Sequence, residues 1–520
     1  MSRTRSWPSK LILAALVAST ASGVAHGAEV ASNVADQLTV AAEGGPRALL
    51  DGLAGILAAN PSLAAAPASA AALARSAAAP VPDLVGSNLP VYREIAERIV
   101  AAAPPAQREA VRKAVGQELA ALIDNDINAM PSLPPYGIGN VRREPPDAGQ
   151  AGYRVGSFTI YPSVQTGVFY DDNIYATKTG RVSDGVGTVS PDVAIQSNWD
   201  RHSLYAEAGT DLTGYLSNGS ENTIDWHART EGQIDVSDNT SILLGALARQ
   251  EHEDRSSPDA VEGITPTPYT DLNAYTGVVH RIGDFTVRFG GAVERTTFGN
   301  VEGLHGTINN LDRDHNRYTI GGLVRDDANT GFRPFVEALG DFRRYDQTVD
   351  DFGYQRNSAG YRAGVGALFR LLPSVSGSAS VGVLARTYDD PRFKPITTPA
   401  VTADLRWQAS ASTALVLFID RSIEETTLPG SPAYIYTVGG GRIEQTLTDD
   451  LTGYFRLAAA HSDFVQVAQD NEADVSVGVR YRLTNRVFLG LDYRYTQRNS
   501  ANSYFNYNRN ETFLSLSSDL

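Results

Sequence analysis

A two-residue alternation of apolar and polar side chains runs from about residue 153 to residue 520 and limits what this chain can fold into. In the segment ADVSVGVRYRL, Val475, Val477 and Val479 are separated by Ser476 and Gly478. Successive side chains of a β-strand point to opposite faces, so the alternation predicts strands with one apolar face. The segments, about 10–14 residues long, exceed the usual strand of a soluble sandwich. Their length is typical of strands that cross a membrane.

The connections between these segments alternate between short turns and long polar loops. Turns such as RIGD and LTDD separate loops such as DRSSPDAVEGITPTPYT. In hydrocarbon every backbone N–H and C=O needs a partner, and a closed barrel is a sheet without edges. The sequence therefore predicts an all-β fold, an antiparallel transmembrane β-barrel of about 18 strands. A soluble propeller would require shorter strands and a repeat for each blade, and the sequence shows no such repeat.

The first residues predict export. Residues 1–27 combine a basic start, MSRTRSWPSK, with the apolar run LILAALVAST and with the small residues Ala25 and Gly27. These are the three parts of a secretory signal peptide, and the apolar run is too short to span a membrane as a helix. We therefore expect an exported protein.

The region between the signal peptide and the barrel has a different pattern. Residues 28–128 are rich in Ala, and apolar side chains recur there at helical spacing. The spaced apolar residues are Val91, Ile95, Ile99, Val111, Val115, Leu119 and Leu122. We interpret residues 28–128 as a small α-helical periplasmic region, residues 129–152 as a linker rich in Pro and Gly, and residues 153–520 as the barrel.

Composition excludes several functional classes. The formal net charge of −15 provides no basic surplus for nucleic acid phosphates. The chain has no cysteine, which excludes disulfides, thiol nucleophiles and zinc sites built on Cys. Its eight histidines form no HExxH pair. We expect no cofactor, no metal site and no nucleic acid partner.

The stretch TIDWHARTEGQIDVSD resembles a catalytic or metal-binding cluster, because its acidic, basic and imidazole side chains follow one another closely. These side chains fall at every second position from Asp225 to Asp235, so in a strand they would extend over about 33 Å on one face. One active centre is smaller than that, and no motif supplies a nucleophile with an orienting partner. We therefore interpret the stretch as one wall of a pore and expect no enzymatic activity.

Other strands carry polar side chains on the same alternation phase, opposite apolar residues such as Trp407 and Leu489. Inward arginines and acids would set a field across a pore and tune its ion selectivity. The predicted lumen-facing residues are Asp225, His227, Arg229, Glu231, Gln233, Asp235, Arg333, Glu337, Asp341, Arg362, Asp404, Arg406, Arg456, Arg480, Arg482, Asp492 and Arg494.

Two acidic runs and one glycine run fall outside this wall. QEHED at 250–254 and DRDH at 312–315 contain the oxygen ligands of a hard cation, but neither has the spacing of a calcium loop, so we expect solvated loops. The three glycines at 439–441 lie between strand-like residues. We therefore interpret them as a bend or bulge rather than as a nucleotide-binding loop.

Three motifs carry a resemblance to a known family. They are Pro162-Ser163 in the first strand, the loop entry from Tyr170 to Ile174, and the closing segment NYNRNETFLSLSSDL. With these motifs, about two-thirds of the chain resembles the putative β-barrel porin 2 type of proteobacterial outer-membrane proteins. One departure is the last residue, Leu520, where outer-membrane barrels usually have an aromatic residue. The resemblance implies an outer-membrane channel. Several similar proteins are encoded beside polysaccharide export systems.

Two functions stay open from the sequence. The first is a channel that passes hydrophilic solutes passively or serves as the outer-membrane conduit of an exopolysaccharide export system. The second is a barrel-anchored binding or assembly component whose N-terminal helices dock a periplasmic partner, with no open pore. Both place the barrel in the outer membrane and the N-terminal region in the periplasm. The expected partners are outer-membrane lipid and lipopolysaccharide, the barrel assembly machinery and periplasmic polysaccharide-export components.

Overall fold

The computed structural model describes most of the barrel and parts of the N-terminal region. The described residues are 46–78, 89–108, single positions between 34 and 115, and 152–519 apart from 200, 258, 262, 305, 330, 373, 411 and 485. The predicted signal peptide, and the predicted linker except its last residue, lie outside them.

The described N-terminal region contains three α-helices with defined bounds: α1 (Pro46–Ala59), α2 (Pro67–Ala78) and α3 (Leu89–Ala102). It also contains two short 3-10 helices, Pro61–Ala64 and Pro105–Gln107, and further helical residues that include Val111. Pro46 and Pro67 stand where the first turn of a helix tolerates the missing N–H. The predicted apolar positions Ile95, Ile99 and Val111 are fully buried in one small core shared by the helices. Leu119 and Leu122 lie outside the described residues. Among the described helices, none is long and apolar enough to cross a membrane.

The barrel contains the predicted 18 strands. They are β1 (Phe158–Asp171), β2 (Asp184–Ser197), β3 (Ser203–Tyr215), β4 (Thr223–Ser237), β5 (Thr240–His252), β6 (Pro268–Ile282), β7 (Phe285–Phe298), β8 (His315–Asp326), β9 (Phe332–Tyr345), β10 (Ser358–Leu372), β11 (Val375–Tyr388), β12 (Ile396–Ser410), β13 (Thr413–Glu424), β14 (Tyr434–Thr448), β15 (Leu451–Phe464), β16 (Ala468–Arg482), β17 (Val487–Ser500) and β18 (Tyr507–Asp519).

Each strand pairs with the next one along the chain, and all of the pairs are antiparallel. The sheet closes when β1 pairs with β18, in a register that runs from Ser163 opposite Asp519 to Asp171 opposite Glu511. Closure leaves no strand with an unpaired edge, which is what a sheet surrounded by lipid requires. The fold class predicted from the alternation is therefore confirmed.

The two ends of the barrel differ in their connections, as predicted. One end has tight turns, such as residues 238–239 and 449–450. In another of these turns Gly283 has a φ of +57°, a conformation that glycine adopts without strain. The other end has long loops, such as residues 253–267 and 346–357. The start of β1 and the end of β18 both lie at the end with the tight turns.

The glycine run at 439–441 contradicts the predicted bend or bulge, because β14 stays paired with both neighbours through all three glycines. The register shift of β14 comes later, between Thr446 and Thr448. A Cβ on Gly440 would lie 2.5 Å from the carbonyl oxygen of Leu457. The glycines therefore allow the backbones to approach closely.

Candidate pore lining and loop-end mouth

The interior face of the barrel can be identified from a contact between strands that are not neighbours. Leu339 of β9 packs against Leu243 of β5 and Tyr275 of β6. Such a contact can form only through the interior, so odd-numbered residues of β9 face inward. On β9 the even-numbered Val336 is 53% exposed and Phe342 is 47% exposed, as expected for a lipid face. The same alternation of exposure continues around the barrel.

The stretch on β4 that resembled a cluster is part of this interior face. His252 Nδ1 lies 2.6 Å from Asp225 Oδ1. His227 Nε2 lies 3.1 Å from Asp192 Oδ2 and 3.4 Å from Glu207 Oε1. Arg229 contacts the same glutamate at 2.6 Å. The partners of the β4 side chains therefore come from β2, β3 and β5.

Toward the C-terminal end of β4, hydrogen bonds link the interior side chains to one another. Gln233 donates through Nε2 to Asp235 Oδ1 at 2.7 Å and to Ser241 Oγ at 3.2 Å. Ser241 in turn donates to Asp235 at 2.8 Å. Glu231, which lies between Arg229 and Gln233 on the same face, is buried.

A second polar cluster lies on β8 to β11. Asp341 accepts hydrogen bonds from Arg386 Nη2 at 2.8 and 2.7 Å, and Arg317 Nε lies 3.4 Å from it. Arg362 lies 3.3 Å from Glu337. Each acid thus has an arginine as a neighbour, which offsets the cost of removing its charge from water.

A third cluster, on β15 to β17, is centred on Asp474. Arg456 Nη1 lies 2.7 Å from one carboxylate oxygen and Arg494 Nε lies 2.6 Å from the other. Nearby, the Tyr454 hydroxyl donates to Asp492 at 2.6 Å. One acid therefore organises two of the predicted arginines.

All of the predicted lumen-facing residues fall on the interior phase of their strands. Arg333, Asp404 and Arg406 keep partial or full exposure there. Arg480 lies over the ring of Phe488 at 3.9 Å, and Arg482 pairs with Asp450 of a turn at 2.6 Å. That these side chains line an open aqueous pore stays a prediction.

The interior also contains features that sequence reasoning missed. Leu323, Phe335 and Leu368 form a buried apolar cluster on β8 to β10. Asp192 and Arg386 are partners of predicted residues but are not among the predicted residues. Both residues lie on the polar phase of their strands, and this phase could have identified them as interior. No local pattern indicated that one part of the inner wall would be apolar.

The loop that follows β5, residues 253–267, is here called the crossing loop. Asp259 in this loop accepts hydrogen bonds from Thr426 Oγ1 at 2.6 Å and from the Thr427 backbone N–H at 2.9 Å. These threonines belong to residues 425–433, the receiving loop, which follows β13. Since β5 and β13 are far apart in the ring of strands, the contact joins nearly opposite sides of the barrel mouth.

Contacts with β17 and with the loop after β7 hold the crossing loop at two other places. Arg498 of β17 donates to the backbone oxygen of Ser256 at 2.9 Å. Arg313, from the loop after β7, donates through Nη1 to Glu253 Oε2 at 3.0 Å, and both side chains are almost fully buried. Burial raises the pKa of Glu253 above its ordinary value, and the Arg313 guanidinium offsets part of that rise.

The receiving loop is held equally firmly. Arg356 pairs with Asp350 at 2.5 Å and donates to the carbonyl oxygens of Thr426 and Ser431 at 2.6 and 3.1 Å. Glu425 forms an ion pair with Arg343 of β9 and accepts a hydrogen bond from Tyr345 at 2.9 Å. The two loops therefore form a bonded bridge over the mouth.

The bridge corrects the expectation that both acidic runs are solvated loops. Glu253 of QEHED is 4% exposed, and His315 of DRDH is 1% exposed. The sequence predicts solvent-facing charges here because the charges of polar loops usually face water. Here the two runs meet through the Glu253–Arg313 pair, so each neutralises the other on burial.

Comparison with known proteins places the chain in a family. A family model described as "Putative beta-barrel porin 2" matches residues 145–519. The chain belongs to this family. It is therefore an outer-membrane β-barrel porin, and its closed sheet and polar interior wall agree with that membership. No match was found among the curated proteins.

Among solved structures, this porin is similar to several porins of Pseudomonas at low sequence identity. For OpdL of Pseudomonas aeruginosa the identity is 9%, the match covers 70% of this chain and 99% of OpdL, and the TM-score is 0.39. For OccK2 (OpdF) of the same organism the identity is 10%, the coverage is 69% and 98%, and the TM-score is 0.42. For a BenF-like porin of Pseudomonas fluorescens Pf-5 the identity is 9%, the match covers 70% of this chain and 100% of that porin, and the TM-score is 0.40.

Proposed function

We propose that this porin passes small hydrophilic solutes passively across the outer membrane through a mouth that the crossing loop narrows. An 18-stranded barrel has an interior wide enough for an aqueous channel unless something fills it. The observation that carries the proposal is the bridge from Asp259 to Thr426 and Thr427. A solute that enters at the loop end must pass beside this bridge.

The distribution of charge on the wall supports selectivity among such solutes. The wall formed by β3 and β4 carries the acids Glu207, Asp225 and Glu231 with few cations between them. The wall formed by β14 to β17 is richer in arginine. Its interior arginines include Arg442, Arg456, Arg480, Arg482, Arg494 and Arg498. Walls of unlike charge produce a field across the lumen, and a charged solute would follow the wall of opposite sign.

An exopolysaccharide conduit is the second form of this function. A polymer chain would have to thread past the crossing loop, so the conduit requires the bridge to open. The resemblance to proteins found beside polysaccharide export systems supports this form, and the bonded bridge favours small solutes at rest. A barrel that only anchors a helical docking region, with no open pore, is the third alternative.

Conductance in planar bilayers tests the proposal. We expect the wild-type porin to show steady ion conductance and to exclude large neutral polyethylene glycols. Asp259→Ala removes the acceptor of the bridge, so the variant should conduct more and admit larger polymers. Asp346→Ala is the matched control, because Asp346 is also a loop aspartate but pairs with Arg295 on the same side of the mouth at 2.5 Å.

The outcomes separate the alternatives. Conductance in the wild type that Asp259→Ala increases and Asp346→Ala leaves unchanged supports the small-solute channel. A silent wild type that conducts after Asp259→Ala supports a conduit that opens on demand. Silence of all three proteins contradicts a channel and favours the anchored docking component.

A further inference from the structure

Asp192, Gly209 and His227 lie side by side on three adjacent strands of the interior wall. Asp192 of β2 is paired with Gly209 of β3, and Gly209 is paired with His227 of β4. Glu207, two residues before Gly209, faces the same side. Ligand atoms of Asp192, Glu207 and His227 all lie within 4.8 Å of one another.

Gly209 is what allows Asp192 and His227 to meet. A Cβ at this position would lie 2.4 Å from Asp192 Oδ2 and 2.7 Å from His227 Cε1. Any other residue would therefore separate the carboxylate from the imidazole. The ladder between β2 and β3 is also interrupted beside this point, since Ser190 and Pro191 have no partner in its register and Pro has no N–H to donate.

Glu207 is oriented by groups that leave one of its oxygens for His227. The Tyr205 hydroxyl donates to Glu207 Oε2 at 2.6 Å, and Arg229 Nη2 lies 2.6 Å from the same oxygen. The other oxygen, Oε1, points to His227 Nε2 at 3.4 Å. Hydrogen bonds of this kind fix the direction of a metal-binding carboxylate.

The distances from the imidazole to the two carboxylates agree with the size of a coordinated ion. Bonds of about 2.0–2.2 Å in a tetrahedral site place neighbouring ligand atoms about 3.3–3.6 Å apart. His227 Nε2 lies 3.1 Å from Asp192 Oδ2 and 3.4 Å from Glu207 Oε1. The side chains are between 20% and 29% exposed, so an ion in the interior can reach them.

We propose that Asp192, Glu207 and His227 form a binding site for a divalent transition-metal ion of the zinc class on the inner wall. One imidazole nitrogen and two carboxylate oxygens suit Zn²⁺, and a three-ligand site leaves coordination positions open to water or a passing solute. Mg²⁺ prefers an octahedron of oxygens and is a poor fit. The bound ion would join β2, β3 and β4 and reduce the negative charge of this wall.

Isothermal titration calorimetry of the purified, folded porin with Zn²⁺ tests the site by measuring affinity and stoichiometry. The protein is prepared at pH 7.5 in detergent without a histidine tag, and a heat-modifiable gel shift shows that each variant is a folded barrel. We expect one Zn²⁺ per chain. His227→Ala and the isosteric Asp192→Asn should each weaken binding at least about tenfold, and Gly209→Ala should weaken it because the added Cβ displaces both ligands.

His252→Ala is the matched control, because His252 also lies beside a carboxylate, and in the part of the chain that the structure describes its acidic partner is Asp225 alone. Its Zn²⁺ affinity should equal that of the wild type. The proposal is overturned if the wild type binds no Zn²⁺ with one-to-one stoichiometry. It is also overturned if folded His227→Ala and Asp192→Asn bind as the wild type does, or if Mg²⁺ binds as tightly as Zn²⁺. The readout is binding, so it does not depend on whether the barrel conducts.

Discussion

Asp404 and Leu405 are consecutive residues near the centre of β12, and their side chains leave the strand in opposite directions. Asp404 faces the interior and is exposed there, whereas Leu405 lies opposite Gly377 of β11 on the outer face. The two side chains are at the same depth in the membrane. They therefore allow one substitution to be compared in water and in lipid without a change of location along the barrel.

We expect Leu405→Arg to impair assembly and Asp404→Arg to be tolerated. Arginine on the lipid face near the midplane costs about 2–4 kcal/mol, and this cost falls to near zero when the side chain faces water. Heat-modifiable mobility of the two variants in isolated outer membranes gives the measurement. Equal yields of folded barrel from both would show that the faces are wrongly assigned.

His227 shows how far residue positions could be read from the sequence. Its alternation phase placed it on the interior wall together with Asp225 and Arg229. Its partners could not be deduced, because Asp192 and Glu207 reach it only through the register of three strands. A register error of one residue would have exchanged the faces, so alternation alone determines the side of the wall and not the neighbours across it.

The long loops form one connected layer through a few buried acids. Asp390, in the loop after β11, accepts hydrogen bonds from the backbone N–H of Gln355 at 2.9 Å and from Arg392 Nε at 2.8 Å. Gln355 belongs to the loop after β9, which also carries Arg356. Asp390 thus holds in place the loop that supports the receiving loop. The hydrogen bonds from Arg392, with the backbone donors, hold the pKa of Asp390 well below its ordinary value.

The pH dependence of this contact follows from the direction of the pKa shift. A carboxyl whose pKa is lower in the folded than in the unfolded state stabilises the fold above the unfolded pKa, about 3.9 for Asp. That stabilisation is lost as pH falls from there toward the lowered folded pKa. Hydrogen exchange, corrected for intrinsic rates, should show the Gln355 amide well protected at pH 7 and losing protection below about pH 4.

Asp390→Asn should reduce protection of the Gln355 amide already at pH 7 and flatten its decline in acid. Asp389→Asn, the neighbouring change, should behave as the wild type. Unchanged protection in Asp390→Asn would mean that other contacts position this loop.

Loop length and loop location were predictable, but loop packing was not. The sequence predicts a long polar loop over residues 254–270, and the structure has one over residues 253–267. Polar composition indicates a loop without saying whether its charges meet water or one another. Glu253 and Arg313 are 60 residues apart in the sequence. The pairing of β5 to β8 places their loops next to each other at the same end of the barrel.

At the scale of the whole molecule, the barrel obtains all of its strand pairs from residues 158–519. The described helices α1 to α3 have a core of their own. The barrel strands therefore need no strand from the N-terminal region. The short strand Tyr153–Val155, which pairs with β1, lies just before the barrel.

Deletion of residues 28–150, with the signal peptide retained, should leave a folded barrel. We expect the same heat-modifiable shift and the same protease resistance as in the full chain, measured in isolated outer membranes. Point changes in α1 to α3 provide the comparison: Leu53→Asp, in the small helical core, should expose the helices to protease and leave the barrel shift unchanged. Loss of the shift on deletion would show that the N-terminal region is needed for assembly.

The seam between β1 and β18 has a consequence for the order of events during biogenesis. Ser163 must pair with Asp519, a residue that is synthesised after all of the other barrel strands. Until then β1 is an open edge, able to pair with any other extended chain. A chain that lacks only β18 therefore exposes an open β1 edge, just as a chain that lacks half of its strands does.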